Sequence, residues 1–209
     1  MTAPLRVVGL LPVRRLDDAK GRLGPTVSPE DRAGLALALL QRAICALFDG
    51  GVERVAVITR DERLIDNPPD PRLDILQQVD RGLNPAVVAG QRWAESVGAD
   101  ALLIVLPDLP LVRGADIAAV LAAVPSVPGA VLAPDRHNTG SNALLLAPPG
   151  CIAPAFGEGS APAHRAALSA AGVPWSEVRR PGLSLDLDTP DDLARLAELG
   201  IDWRVMQDS

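Results

Sequence analysis

Six uncharged residues, Val7-Val8-Gly9-Leu10-Leu11-Pro12, predict a first strand buried on both faces. Ser28-Pro29-Glu30-Asp31 then has the form of a helix start, with a hydroxyl cap, proline at the first position and acids in the first turn. Apolar positions at Leu35, Leu37, Leu39, Leu40, Ile44 and Leu47 carry that helix to Gly50-Gly51. The spacing predicts a second buried strand over 55–59, a polar, proline-rich loop over 61–71 and a short strand over 73–76. A helix is expected over 84–97, the clearest central strand over 101–106 and a helix over 115–124. Strands over 129–133 and 142–146 flank a polar turn, and a helix covers 161–171. A last short strand is expected over 183–185, and Thr189-Pro190-Asp191-Asp192 opens a final helix reaching Leu199.

Strand and helix in steady alternation predict an α/β fold: a mainly parallel, Rossmann-like sheet with helices on both faces, in one domain over 1–209. Such sheets bind ligands beyond the carboxyl ends of their strands. The distinctive polar residues should therefore follow strands, as Lys20, Asp61, Asp108 and Asp186 do.

Composition narrows the ligand. Hydrophobic residues make up 48% of the 209, enough for a full core, and aromatics only 2%. With three Trp, no Tyr and a net charge of −6, a nucleic-acid partner is not expected. Trp93, Trp175 and Trp203 are expected to pack rather than stack on a base. Cys45 lies in an apolar helical pattern and is expected in the core; Cys45 and Cys151 lack metal-type spacing. No leader-like segment precedes the first strand and no apolar run reaches membrane-spanning length, so a cytoplasmic protein with no membrane partner is expected. Assembly state is open, a homo-oligomer included.

Only one of 20 basic residues is a lysine, Lys20, in the loop after the first strand with Arg14, Arg15 and Arg22. An ammonium is a compact point charge on a flexible stem, and such a loop suits a nucleotide's phosphates. Chance placement on a solvated face is the alternative. In extended chain, side chains two apart point the same way, so Asp186 and Asp188 can converge on one cation, with Asp108 after the central strand as a third ligand. Oxygen ligands of this kind describe magnesium; the alternative is a turn at Asp108 and helix capping near Asp188. No Walker loop and no Gly-x-Ser-x-Gly elbow is present.

Six segments together resemble the guanylyltransferases of deazaflavin coenzyme (F-420) biosynthesis. They are Pro12-Val13-Arg14-Arg15-Leu16 through Ala19-Lys20-Gly21-Arg22-Leu23, Gly82-Leu83-Asn84, Asp108-Leu109-Pro110-Leu111, Asn138-Thr139-Gly140-Ser141-Asn142, Phe156-Gly157-Glu158-Gly159-Ser160 with His164, and Leu185-Asp186-Leu187-Asp188-Thr189-Pro190. The resemblance implies a nucleotide-diphosphosugar-transferase type of sheet. It implies that GTP is coupled to phosphoenolpyruvate, 2-phospho-L-lactate or, in some members, 3-phosphoglycerate, with release of diphosphate. It implies Mg2+, as two ions, on Asp108, Asp186 and Asp188, and the phosphorylated acid on Thr139, Gly157 and Ser160. Pro12, Arg14, Lys20, Gly82 and Asn84 fall to the nucleotide, with Lys20 and Arg22 acting on its triphosphate. Arg14 stands where the family typically has lysine. Ser160 and Asn84 could instead be helix caps, and His164 either a contact to the acid's carboxylate or a surface residue. A molybdenum cofactor guanylyl- or cytidylyltransferase is the alternative enzyme, disfavoured because the first loop lacks the usual glycines. A non-catalytic nucleotide-binding protein on the same fold is the other.

Overall fold

Val7–Val13 forms β1, third in a seven-stranded sheet of order β3-β2-β1-β4-β6-β5-β7. The computed structural model describes residues 5–24 and 26–208. The other strands are β2 (Arg54–Thr59), β3 (Leu73–Gln77), β4 (Ala101–Val105), β5 (Gly129–Pro134), β6 (Ser141–Ala147) and β7 (Trp175–Glu177). The first four pair in parallel; β6 runs antiparallel to both β4 and β5, and β7 lies parallel to β5.

Alternation along buried strands fills two cores, one on each face. Leu11, Val57, Leu103 and Leu145 face α1 (Pro29–Asp49). Leu10, Ile58, Leu102 and Leu144 face the opposite way, toward α3 (Leu83–Ser96) and α5 (Ser160–Ala170). α3 packs so closely on β1 that a Cβ at Gly90 would collide with the Leu10 side chain. The remaining helices are α2 (Glu62–Asp66), α4 (Gly114–Ala122), α6 (Pro181–Ser184) and α7 (Pro190–Glu198). A third cluster joins Leu187, Leu193, Leu196, Trp203 and Met206 to Leu35 and Leu39 of α1. All three tryptophans pack against or within these clusters.

Three expectations need correction, and two elements were not anticipated. The loop over 61–71 contains α2, because Asp61 accepts from the Arg63 amide and caps it. The segment 183–185 is not a strand: Pro181 opens a helical turn, and the outer edge of β5 is already taken by β7, an unanticipated strand. A 3-10 helix over Trp203–Asp208 was also unanticipated. Cys45 is exposed, on the face of α1 that carries Gln41.

Candidate active site

β1 pairs with β4 only as far as Leu10↔Ile104, while its pairing with β2 runs on to Val13↔Thr59. Past Leu10 the sheet therefore opens between β1 and β4, where the strand order reverses, the expected ligand crevice of such a sheet. Pro12 sits beyond the last β4 partner, where its missing N–H costs no ladder bond to β4. The crevice is a cleft of about 1670 Å³, larger than the usual small-molecule pocket and roomy enough for a nucleotide with a second substrate.

Lys20 enters from the loop after β1. Its backbone is left-handed, φ 56°, at the start of the 3-10 turn Gly21–Leu23. A non-glycine residue held there costs about 1 kcal/mol or more, and such residues cluster at functional sites. The side chain is 6% exposed, with Nζ 2.9 Å from Asp188 Oδ1 and 3.3 Å from Asp108 Oδ2. Burial disfavours the ammonium, but Asp108 and Asp188 outweigh it and raise its pKa above the ordinary lysine value.

The acids converge through the backbone. The Leu187 N–H donates to the Asp108 carbonyl, which lays 186–188 beside Asp108. Leu187 turns into the core, and Asp186 and Asp188 line the cleft, as the alternation requires. Capping of α7 falls to Thr189 and Asp192: Asp192 Oδ2 accepts from the Asp188 and Thr189 amides, and Arg136 braces Oδ1 at 2.6 Å. Burial first, and Asp108 next, push Asp186 above the usual carboxylate range. Asp108 Oδ1 is buried without a hydrogen-bond partner. Among the described residues no three carboxylate, histidine or cysteine groups stand ready-arranged around one point, and the Lys20 ammonium bridges Asp108 and Asp188. Oxygen-only donors that already attract a cation, one of them orphaned, fit a hard divalent ion.

Arg14, Arg15, Arg22, Arg60 and Arg81 line the same cleft, and none makes an ion pair among the described residues. Outside the cleft, Arg54–Asp74, Arg72–Asp70 and Arg165–Glu177 are ion-paired, whereas Arg6, Arg32, Arg42, Arg92 and Arg113 make no ion pair among the described residues. Arg60 and Arg81 escaped the sequence reading; their signal is that Arg60 follows β2 directly and Arg81 precedes Gly82. Asp61 holds the loop after β1 from below. It is 2% exposed, accepts from the Leu16 amide at 2.7 Å, and is lowered to about 2 chiefly by its bond with Arg63.

The segments expected to hold the acid lie beyond β4. Thr139 and Gly157 line the cleft, but the Thr139 amide and hydroxyl both donate to Asp135. Gly157 (φ 130°) and Gly159 (φ 70°) shape the turn into α5, whose cap is Gly159. Ser160 is the first helical residue and not the cap; its Oγ accepts from the Ser141 amide. Gly82, with φ 111°, caps α3 in place of Asn84, and the Asn84 amide makes two hydrogen bonds to the Phe156 backbone. His164 is buried, not a surface residue.

Residues 7–204 match the family model described as guanylyl transferase CofC like. This chain belongs to that family. It is 41% identical over 201 residues to a Rubrobacter xylanophilus protein named phosphoenolpyruvate guanylyltransferase, covering 96% of this chain and 98% of the relative. A Sphaerobacter thermophilus protein of the same name is 40% identical over 194 residues, 92% of this chain and 93% of the relative. A crystal structure from Desulfovibrio desulfuricans, described as a nucleotide-diphospho-sugar transferase, superposes with a TM-score of 0.78 at 16% identity, covering 95% of this chain and 89% of that one. The last likeness shows the fold: the alternation predicted a mainly parallel Rossmann-like sheet, and the resemblance implied its nucleotide-diphosphosugar-transferase type. No helix among the described residues is long and apolar enough to cross a membrane.

Proposed function

We propose that this family member transfers the guanylyl group of GTP to phosphoenolpyruvate and releases diphosphate, supplying the deazaflavin coenzyme pathway. The observation that carries the reading is the division of charge within one cleft: arginines without ion pairs among the described residues and Lys20 along β1–β3, three carboxylates at the β1/β4 opening, and turns carrying the uncharged Thr139 and Gly157 beyond β4. The names of the 40–41% identical relatives support phosphoenolpyruvate over phospholactate as the acceptor.

In this reading an acceptor phosphate oxygen forms a bond to the α-phosphorus of GTP. The bond from that phosphorus to its bridging oxygen breaks, and diphosphate leaves with the electron pair. Asp108, Asp186 and Asp188 would hold magnesium, two ions, which when bound neutralises phosphate oxygens on both substrates. Arg14, Arg22 and Lys20 bind and orient the triphosphate, Lys20 turning from the carboxylates to the phosphates. Pro12 and Gly82 let backbone approach the nucleoside, and Asn84 fixes the neighbouring acid loop through Phe156. Thr139, Gly157 and Ser160 receive the acid, helped by the amides at the start of α5. Mass spectrometry of products from purified protein with GTP, magnesium and phosphoenolpyruvate, phospholactate or phosphoglycerate in turn tests the assignment. The phosphoenolpyruvate adduct should form fastest; no adduct with any of the three would overturn the reading.

A further inference from the structure

Behind the acid-binding turns stand three buried polar side chains, Ser141, Ser160 and His164, at 1%, 2% and 0% exposure. Both serines also line the cleft. Their hydrogen bonds fix where the protons are. The Ala155 N–H donates to His164 Nε2 at 3.0 Å, so Nε2 is the bare nitrogen and the neutral ring carries its proton on Nδ1. Nδ1 lies 2.9 Å from Ser141 Oγ and therefore donates to it. The Ser141 N–H donates in turn to Ser160 Oγ at 2.8 Å. Each serine oxygen thus accepts a bond from inside the protein. Among the described residues neither hydroxyl proton is donated to a protein acceptor. The Phe156 ring packs edge-on against the imidazole, with centroids 4.8 Å apart.

We propose that Ser141 is a substrate-binding residue, donating its hydroxyl proton beside Ser160 to an anionic group of the acceptor, and that His164 is the positioning residue that makes Ser141 a donor. The identity of the acceptor rests on the reading above. A serine against a histidine also suggests a nucleophile and its base. The tautomer excludes that, because the nitrogen facing Ser141 already carries a proton and cannot take another. Two hydroxyl donors side by side suit a phosphoryl or carboxylate group, and a neutral ring keeps the contact free of added charge. Burial, which holds the ring pKa down to about 4, keeps it neutral throughout the working range.

Steady-state kinetics on four variants test this. Ser141→Ala should raise KM for phosphoenolpyruvate roughly ten- to hundredfold, the value of a hydrogen bond to a charged group. KM for GTP should stay within about twofold. His164→Asn keeps a donor near the Nδ1 position, and His164→Gln keeps an acceptor near Nε2. Asn should therefore retain most acceptor affinity and Gln should lose it. Adding His164→Gln to Ser141→Ala should cost little more. The reverse order, Gln rescuing and Asn failing, would reduce His164 to a loop anchor and overturn the proposal, as would equal loss of both substrates. Nitrogen-15 NMR reads the tautomer directly, with only two histidines in the chain to resolve. An Nδ1–H ring is expected, and Nε2–H would overturn the proposal whether or not phosphoenolpyruvate is turned over. If wild-type protein makes no adduct with any phosphorylated acid, it is the proposed function that fails, while the tautomer still reports on His164.

Discussion

Lys20 combines a left-handed backbone, a buried ammonium and two carboxylate partners at the edge of the cleft. Replacing it with alanine should cost about 2–4 kcal/mol in kcat/KM for GTP. Thermal stability should scarcely move, since the cost of burying the ammonium disappears with it and water can reach both Asp188, 42% exposed, and Asp108, 21% exposed. A large stability loss with normal kinetics would make Lys20 structural. His164 gives a second test through pH. Its folded pKa, about 4, lies below the ordinary 6.5, so the unfolded chain takes up the proton first as pH falls. Its contribution is complete above 6.5 and is lost progressively down to 4. Between about pH 7 and pH 5 that is about 2 kcal/mol. Denaturant titrations at those two pH values should show the loss in wild type and not in His164→Gln. Lys20 was legible because it is the chain's only lysine, and Asp186 with Asp188 because spacing alone sets their common direction. Arg60 and Arg81 were not, since an arginine after a strand looks like any other cation in an arginine-rich chain. The burial of His164 depends on contacts from Ala155 and Ser141 that no local pattern encodes.

Among the elements, α3 lends Leu83 and Ala86 to the lining of the cleft. Its Gly90 is a position of close approach, where any Cβ meets Leu10 in the middle of β1. On helix propensity alone Gly90→Ala would stabilise, by up to about 1 kcal/mol. Overpacking against a fully buried leucine should reverse the sign and cost about 1–3 kcal/mol, read by chemical denaturation. A stabilised variant would mean that α3 can retreat from β1. The long apolar strands and the caps of α1 and α7 were plain in the sequence, because burial on both faces and Ser or Thr capping are local signals. The three-residue β7 and the turn α6 were not. Which of them pairs with β5 is decided by tertiary contact, and three residues carry no period. Asn84 and Ser160, weighed as alternative caps of α3 and α5, lie two residues and one residue past the actual caps, which are glycines with positive φ.

Taken together, the sheet arranges charge along its carboxyl edge in the order that a transfer between two anions needs. A chain of net charge −6 keeps in this cleft arginines without ion pairs among the described residues and sets acids against the one lysine. On the proposed function, that arrangement would concentrate an anionic nucleotide beside the phosphorylated acid. Removing one charge from the acid cluster, Asp188→Asn, should lower turnover at least about a hundredfold with the fold intact, checked by circular dichroism beside the assay. Near-normal turnover at limiting magnesium would remove Asp188 from the metal set. The bond-making step can be followed with phosphoenolpyruvate labelled with oxygen-18 in its phosphoryl group, by phosphorus NMR of the products with GTP. Attack by the acceptor's oxygen on the α-phosphorus requires all label in the guanylylated product and unlabelled diphosphate. Label in the released diphosphate, or GDP with inorganic phosphate in place of diphosphate, would contradict guanylyl transfer to the acid.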